Sequence, residues 1–185
     1  MTKKNIAREE TRQALIEAFW KLLKDKSADK MTVSEIARVA GYNRSTFYEY
    51  FFDVPDVLQQ VEDGILQEMN FGIPKNDRIP MAQVVDVFER NAEPLSLLLG
   101  EHGDFSFFFR IRNKMKQAFY ELARSGGVEV DFPIALEIEH HVAGTTASLL
   151  SWLRMPDRPS AETYLTVLRE IDHDASERLI KKLKG

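Results

Sequence analysis

The chain has 185 residues, 44% of them apolar and 29% charged, with a net charge of −4 and no cysteine. That length suits one larger helical domain or one small and one medium one, and the missing cysteine excludes disulfides and cysteine-ligated zinc. No run of about 18 apolar residues occurs, which excludes a membrane-spanning helix, and MTKKNIAREETR at the start lacks the apolar core of a signal peptide, so a cytoplasmic protein is expected.

The average charge conceals a gradient. Residues 1–52 hold ten Lys and Arg against seven Asp and Glu, a net +3, which leaves −7 on the remainder. A basic head on an acidic body suits a molecule that brings only one end to phosphate. In chain order, a first helix is expected over about Ile6–Lys24, with Ala14, Leu15, Ala18, Phe19, Leu22 and Leu23 as its apolar stripe. Lys3, Lys4 and Arg8 at its start either reach a phosphate or form a solvated tail. KSADK, residues 26–30, is a polar loop.

Thr32 to Phe51 reads as two short helices around a tight turn. Thr32 and Glu35 have capping-box spacing, Val33, Ile36, Ala37 and Ala40 form one apolar face, and Gly41 supplies the positive φ for an abrupt stop. Asn43 caps the second helix, which turns Phe47 and Phe51 back toward Ile36 and Ala40. Its other face carries Arg44, Ser45, Thr46, Tyr48 and Tyr50, polar and nearly uncharged, and fits a DNA major groove. The pattern is either a helix-turn-helix or an ordinary helical hairpin whose outer face happens to be polar.

The run T-V-x-x-I-A-x-x-A-G-Y-x-R-S-T-F-Y-x-Y-F resembles the signature of the TetR family of bacterial repressors, over about a quarter of the chain when the first helix is included. The resemblance implies an all-α protein with an N-terminal three-helix DNA-binding head over 1–52. It also implies a helical bundle for ligand binding and dimerisation over 53–185, with 55–70 as the linking helix. Arg44 is the candidate for a guanine edge, Tyr42 and Ser45 for edges or thymine methyls, and Thr46, Tyr48 and Tyr50 for phosphates, as matching family positions do; Thr32, Ser34 and Asn43 complete the expected DNA-binding set. The expected partners are a palindromic operator, a second copy of the chain and a small-molecule effector, with no cofactor. One departure is visible: most relatives have a phosphate-binding lysine where this chain has Val54, beside Asp53, and Glu49 adds a further negative charge. Each lost lysine–phosphate contact lowers the salt slope of binding by about one.

Asp53 and Pro55 announce a helix through Leu58, Val61, Ile65 and Met69, and FGIPKNDRIP, residues 71–80, is the clearest boundary. Beyond it, Met81–Asn91 reads as a helix with Val84, Val85 and Phe88 inward, and Pro94 as the opening of a short apolar one ended by Gly100. A long helix from Asp104 carries Phe105, Phe108, Phe109, Met115, Phe119 and Leu122 on one side. These serve either as plain core or, with Phe88 and His141, as the lining of an effector cavity. The helix from Pro133 to Leu153 has Ile138, Val142, Leu149 and Leu153 on one side and the small row His140, Gly144, Ala147, Ser148 and Ser151 on another. Ser160 caps a last helix with Tyr164, Val167, Leu168 and Ile171 as its stripe. In TetR-like proteins the last two major helices pair with their symmetry mates, and HVAG…SWL…PSAETYL resembles that region, so His140, Gly144, Ala147, Ser148, Ser151, Tyr164, Leu168 and Ile171 are the candidate dimer set. The other reading buries both helices within one subunit. Glu137 and His141 have metal-ligand spacing but are only two, so no metal site is expected, and no nucleotide-binding, zinc-protease or nucleophile-elbow motif points to catalysis.

Overall fold

The structure is a computed structural model that describes residues 3–69, 81–103 and 105–184. Those residues are helical apart from turns. The helices are α1 (Lys3–Leu23), α2 (Val33–Ala40), α3 (Arg44–Tyr48), α4 (Val54–Met69), α5 (Met81–Leu98), α6 (Phe105–Ser125), α7 (Phe132–Leu153) and α8 (Ala161–Lys184), with a 3₁₀ turn at Ala28–Lys30. The boundary segment 71–80 and the residue Asp104 lie outside the described residues, as do the side chains of Lys3, Lys4 and Val84. No described helix is long and apolar enough to cross a membrane.

Two compact units emerge: Met1–Ile65 with Leu97–Asp104, and Leu66–Ser96 with Phe105–Gly185. The first unit extends past the expected limit at residue 52, because α4 contributes Val54, Val57, Val61 and Ile65 as a buried row at helical spacing. In this unit α1 packs on α2, and α2 on α3. The buried side chains are Leu15, Phe19 and Leu23 of α1, Ile36 and Ala37 of α2, and Phe47 with Phe51.

The second unit is built around α6, α7 and α8, which pack on one another. Phe119, Leu122 and Ala123 meet Ile138 and Val142 of α7 and Leu179 and Leu183 of α8 in one apolar cluster. Arg112 and Lys116 of α6 converge on Glu139 of α7, and Lys182 of α8 pairs with Glu137. Asp131 caps α7 by accepting from Ile134 N–H at 3.0 Å, and Ser160 caps α8 by accepting from Thr163 N–H at 3.2 Å.

Three elements differ from the sequence expectation. α5 runs through Pro94 to Leu98 instead of restarting there. A proline costs a helix one hydrogen bond, and the buried Leu95 beside it offsets part of that loss. On α6 the buried face is Phe107, Ile111, Phe119 and Leu122, while Phe105 and Phe109 are about half exposed. Both lie two residues from Phe107, roughly 200° around the helix, so they take the opposite side. On α8 Ala161, Leu165, Leu179 and Leu183 face inward, while Val167, two residues from Leu165, and the 78% exposed Ile171 are open to solvent.

Ile138 is fully buried in the α6–α8 cluster and Phe132, at the start of α7, is largely exposed. Ile138→Ala is expected to lower unfolding free energy by about 2–5 kcal/mol and Phe132→Ala by at most about 0.5, read from urea midpoints at unchanged slope. Equal effects would mean that the cluster is not the core of this unit.

Candidate nucleic-acid interface

The turn between α2 and α3 is set by local chemistry. Thr32 and Glu35 form a complete capping box: Glu35 N–H donates to Thr32 Oγ1 at 3.3 Å, and Thr32 N–H donates to Glu35 Oε2 at 2.9 Å. Lys26 Nζ, from the loop after α1, donates to Glu35 Oε1 at 2.6 Å, so the loop and the start of α2 are tied together. Gly41 ends α2 at φ 81°, a conformation that side chains with a Cβ rarely adopt. Asn43 then caps α3, its Oδ1 accepting from Thr46 N–H at 2.9 Å and from the hydroxyls of Ser45 at 2.6 Å and Thr46 at 3.1 Å.

α3 is only five residues long, with Glu49 as its C-cap. Phe47 and Phe51 are buried, with ring centroids 5.6 Å apart. That leaves Tyr42, Asn43, Arg44, Ser45 and Tyr48 exposed on the outer side, with Thr46 and Tyr50 half-buried; Thr32 and Ser34 are exposed at the start of α2. Arg44 Nη2 donates to Tyr48 Oη at 3.2 Å, with the guanidinium 6.0 Å from the ring centre. Thr11 of α1 donates to Tyr42 Oη at 3.4 Å, and the Arg8 guanidinium lies 5.8 Å from the Tyr50 ring. Thr32 and Asn43 thus have their oxygens committed to capping, whereas Arg44 and Tyr48 are presented together as a paired donor and ring.

The start of α4 departs from a phosphate-binding design more than the lost lysine alone implies. Val54 is 5% exposed and belongs to the apolar interior, so position 54 does not face outward. Asp53 accepts from Asp56 N–H at 2.8 Å, and Asp56 accepts from Phe52 N–H, also at 2.8 Å. Two backbone donors that a phosphate would otherwise use are taken by carboxylates. Phe52 itself is 81% exposed. The Phe51–Phe52 pair signals in sequence that one ring is buried, but only the structure distinguishes which.

Residues 15–53 match the family model described as bacterial regulatory proteins, tetR family. Over these residues the chain is similar to the bacterial regulatory proteins of that family. Solved structures of the same fold include a TetR transcriptional regulator from Streptococcus agalactiae, with a TM-score of 0.63 at 21% identity over 91% of this chain and 96% of that one. The dihydroxyacetone kinase operon activator DhaS follows at 0.57 and 15% identity, over 94% and 96%. A tetR-family transcriptional regulator from Streptomyces coelicolor gives 0.51 and 21% identity, over 95% and 88%.

The residues expected to line an effector cavity fall into three separate places. Phe105, Phe108 and Phe109 stack on one another at centroid distances of 5.3 to 5.8 Å at the start of α6. Phe119 lies ten residues beyond Phe109, about 15 Å along the helix, in the packed cluster with Met115 against it and His141 edge-on at 5.2 Å. Phe88 is near Tyr164, at 6.5 Å. Of the expected dimer set, His140, Gly144, Ala147, Ser151 and Ile171 are exposed and Leu168 is half-buried, whereas Tyr164 stacks on Trp152 at 4.9 Å and its hydroxyl meets Ser148 Oγ at 3.0 Å. Burial raises the Tyr164 phenol above its ordinary value, against the opposing hydrogen bond with Ser148.

Lys26, followed by Thr32, holds the Glu35 carboxyl at about 2, below its ordinary 4.5. A depressed carboxyl stabilises the fold fully above the unfolded value, and the contribution is lost as pH falls from about 4.5 toward 2. Glu35→Gln is therefore expected to flatten the stability profile across that window, measured as the urea midpoint against pH. A profile that parallels the unmodified protein would contradict the pairing.

Proposed function

We propose that this TetR-family regulator is a cytoplasmic repressor that binds a palindromic operator as a homodimer and releases it when a small molecule binds. The observation that carries the reading is the outward face of the helix-turn-helix: Tyr42, Arg44, Ser45 and Tyr48 stand exposed together over the buried Phe47 and Phe51. The forked donors of Arg44 suit the O6 and N7 acceptors of guanine, Ser45 and Tyr42 suit edges or thymine methyls, and Tyr48, Tyr50 and Thr46 suit phosphate oxygens. Thr32, Ser34 and Asn43 frame this surface, Thr32 and Asn43 as caps. Two such heads reach successive major grooves when they lie about 34–36 Å apart.

The homodimer is supported by α7 and α8. Leu136, His140, Gly144, Ala147 and Ser151 are exposed at spacings of three and four, one continuous stripe along α7, and Val167 and Ile171 are exposed on α8. A row of small and apolar side chains open to solvent suits close approach by the same helices of a second copy. The effector acts only by binding the two operator states with different affinity. Repression is our reading of the sign; among the structures of this fold is one described as an operon activator.

A second reading has support at the start of α4. Val54 is buried, Asp53 and Asp56 occupy local N–H donors, and Phe52 is exposed, a pattern that favours a co-regulator whose head meets a protein instead of DNA.

Fluorescence anisotropy with operator and unrelated duplexes separates the two. Arg44→Ala is expected to lower discrimination by about 1–3 kcal/mol, while Tyr48→Phe weakens all sequences alike. Unchanged affinity in both variants would remove the assignments. Glu49→Lys is expected to tighten binding and steepen the salt slope by about one. Ile171→Glu, at a site exposed in the single subunit, is expected to convert the dimer to a folded monomer in sedimentation velocity; a persisting dimer would place its interface elsewhere.

A further inference from the structure

The head unit holds a cavity of about 350 Å³ that DNA binding does not use. It lies among the end of α1, the 3₁₀ turn, the first turns of α4 and the segment around His102 and Gly103. Its floor is apolar: Leu23 and Leu98 are buried, and Leu58 is half-buried beside them. Its polar points are Ser27, Asp29 and His102. An apolar concavity of roughly 300 Å³ or more with a few converging polar groups is the usual form of a small-ligand site.

The wall formed by the turn after α5 depends on its backbone. A Cβ at Gly103 would stand 1.8 Å from the Leu98 carbonyl oxygen, so any other residue there forces the turn to open. At the 3₁₀ turn, a hydrogen bond from Ser27 holds the Asp29 carboxyl below its ordinary value against a desolvation effect, with neighbouring Lys30 acting in the same direction as Ser27. Asp29 is therefore an anion at neutral pH.

We propose that this cavity is a binding site for a small cationic amphiphile, with an apolar body against Leu23, Leu58 and Leu98 and an ammonium group at Asp29. The site stands whether or not the head binds DNA. Its position gives it reach within the unit: Thr32, the cap of α2, follows Asp29 by three residues, and Lys26 of the same loop is bonded to Glu35. An occupant that orders this loop acts on the element that opens the helix-turn-helix.

The test is a titration of the ¹⁵N-labelled full chain with cyclohexylmethylamine and with cyclohexylmethanol, its uncharged counterpart. Saturable amide shifts are expected at residues 27–29 and 98–103 for both probes, with the amine binding about three-fold more tightly, a ratio suited to an exposed ion pair. Asp29→Asn is expected to equalise the two. Leu58→Trp is expected to abolish the shifts with an unchanged circular dichroism spectrum. Ala28→Phe fills the cavity from the turn side and gives the same loss if Leu58→Trp does not fold. Absent saturation at these residues, equal binding of the two probes to the unmodified chain, or shifts that survive a folded filling variant would each overturn the proposal. None of these readouts involves DNA, so the site and the operator reading fail separately.

Discussion

A helix of five residues cannot sustain itself in water, because the first turn fixes several dihedrals for a single hydrogen bond. The Arg44–Tyr48 helix exists because Phe47 and Phe51 are buried in the head and because Asn43 satisfies its first donors. Everything proposed for this surface depends on that anchoring. Phe47 has no exposed surface, and turning it inward is what turns Arg44, Ser45 and Tyr48 outward. Anchoring by two aromatic rings also makes the outer face free to vary: its residues contribute little to stability, so their identities can follow whatever they contact.

Electrostatics divides this surface unevenly. The outer face of α3 carries one guanidinium, already paired with a phenol, and the start of α4 carries two carboxylates whose oxygens occupy local N–H donors. Under the operator reading, a duplex meets hydrogen-bond donors and rings here more than net charge, so base edges and ring contacts would carry more of the binding, and counterion release less, than in a lysine-rich head. In the second unit the charges have a different role. Arg112, Lys116 and Lys182 are drawn onto Glu139 and Glu137, bracing α6 and α8 against α7. Small and apolar positions of α7 and α8 are left facing outward.

Local rules of sequence were enough for the head. The capping box at Thr32, the positive φ at Gly41 and the Asn43 cap each involve atoms within five residues, and the structure has all three. Long-range consequences were less legible. A helical stripe of phenylalanines specifies that some face is buried, but Phe107, not Phe105 or Phe109, lies inward, because the neighbours of α6 fix its rotation. The same holds for α8, where Val167 belongs to the apolar stripe read from sequence and is exposed in the single subunit. Pro94 reads as a break from its own chemistry, yet α5 continues through it. The cavity floored by Leu23, Leu58 and Leu98 was invisible, since residues from three separated stretches of chain create it and none has a distinguishing neighbour pattern. Val54 looked like a missing phosphate contact, and its burial is a property of the α4 row that only packing reveals.

The central claim is that the face built on Phe47 and Phe51 reads base pairs, two copies at a time. The most direct measurement incubates the full-length protein with fragmented genomic DNA at low salt and sequences what is retained. The account predicts enrichment of an inverted repeat whose half-sites are about one helical turn apart. Retention without any shared sequence, or no retention at all, would contradict it.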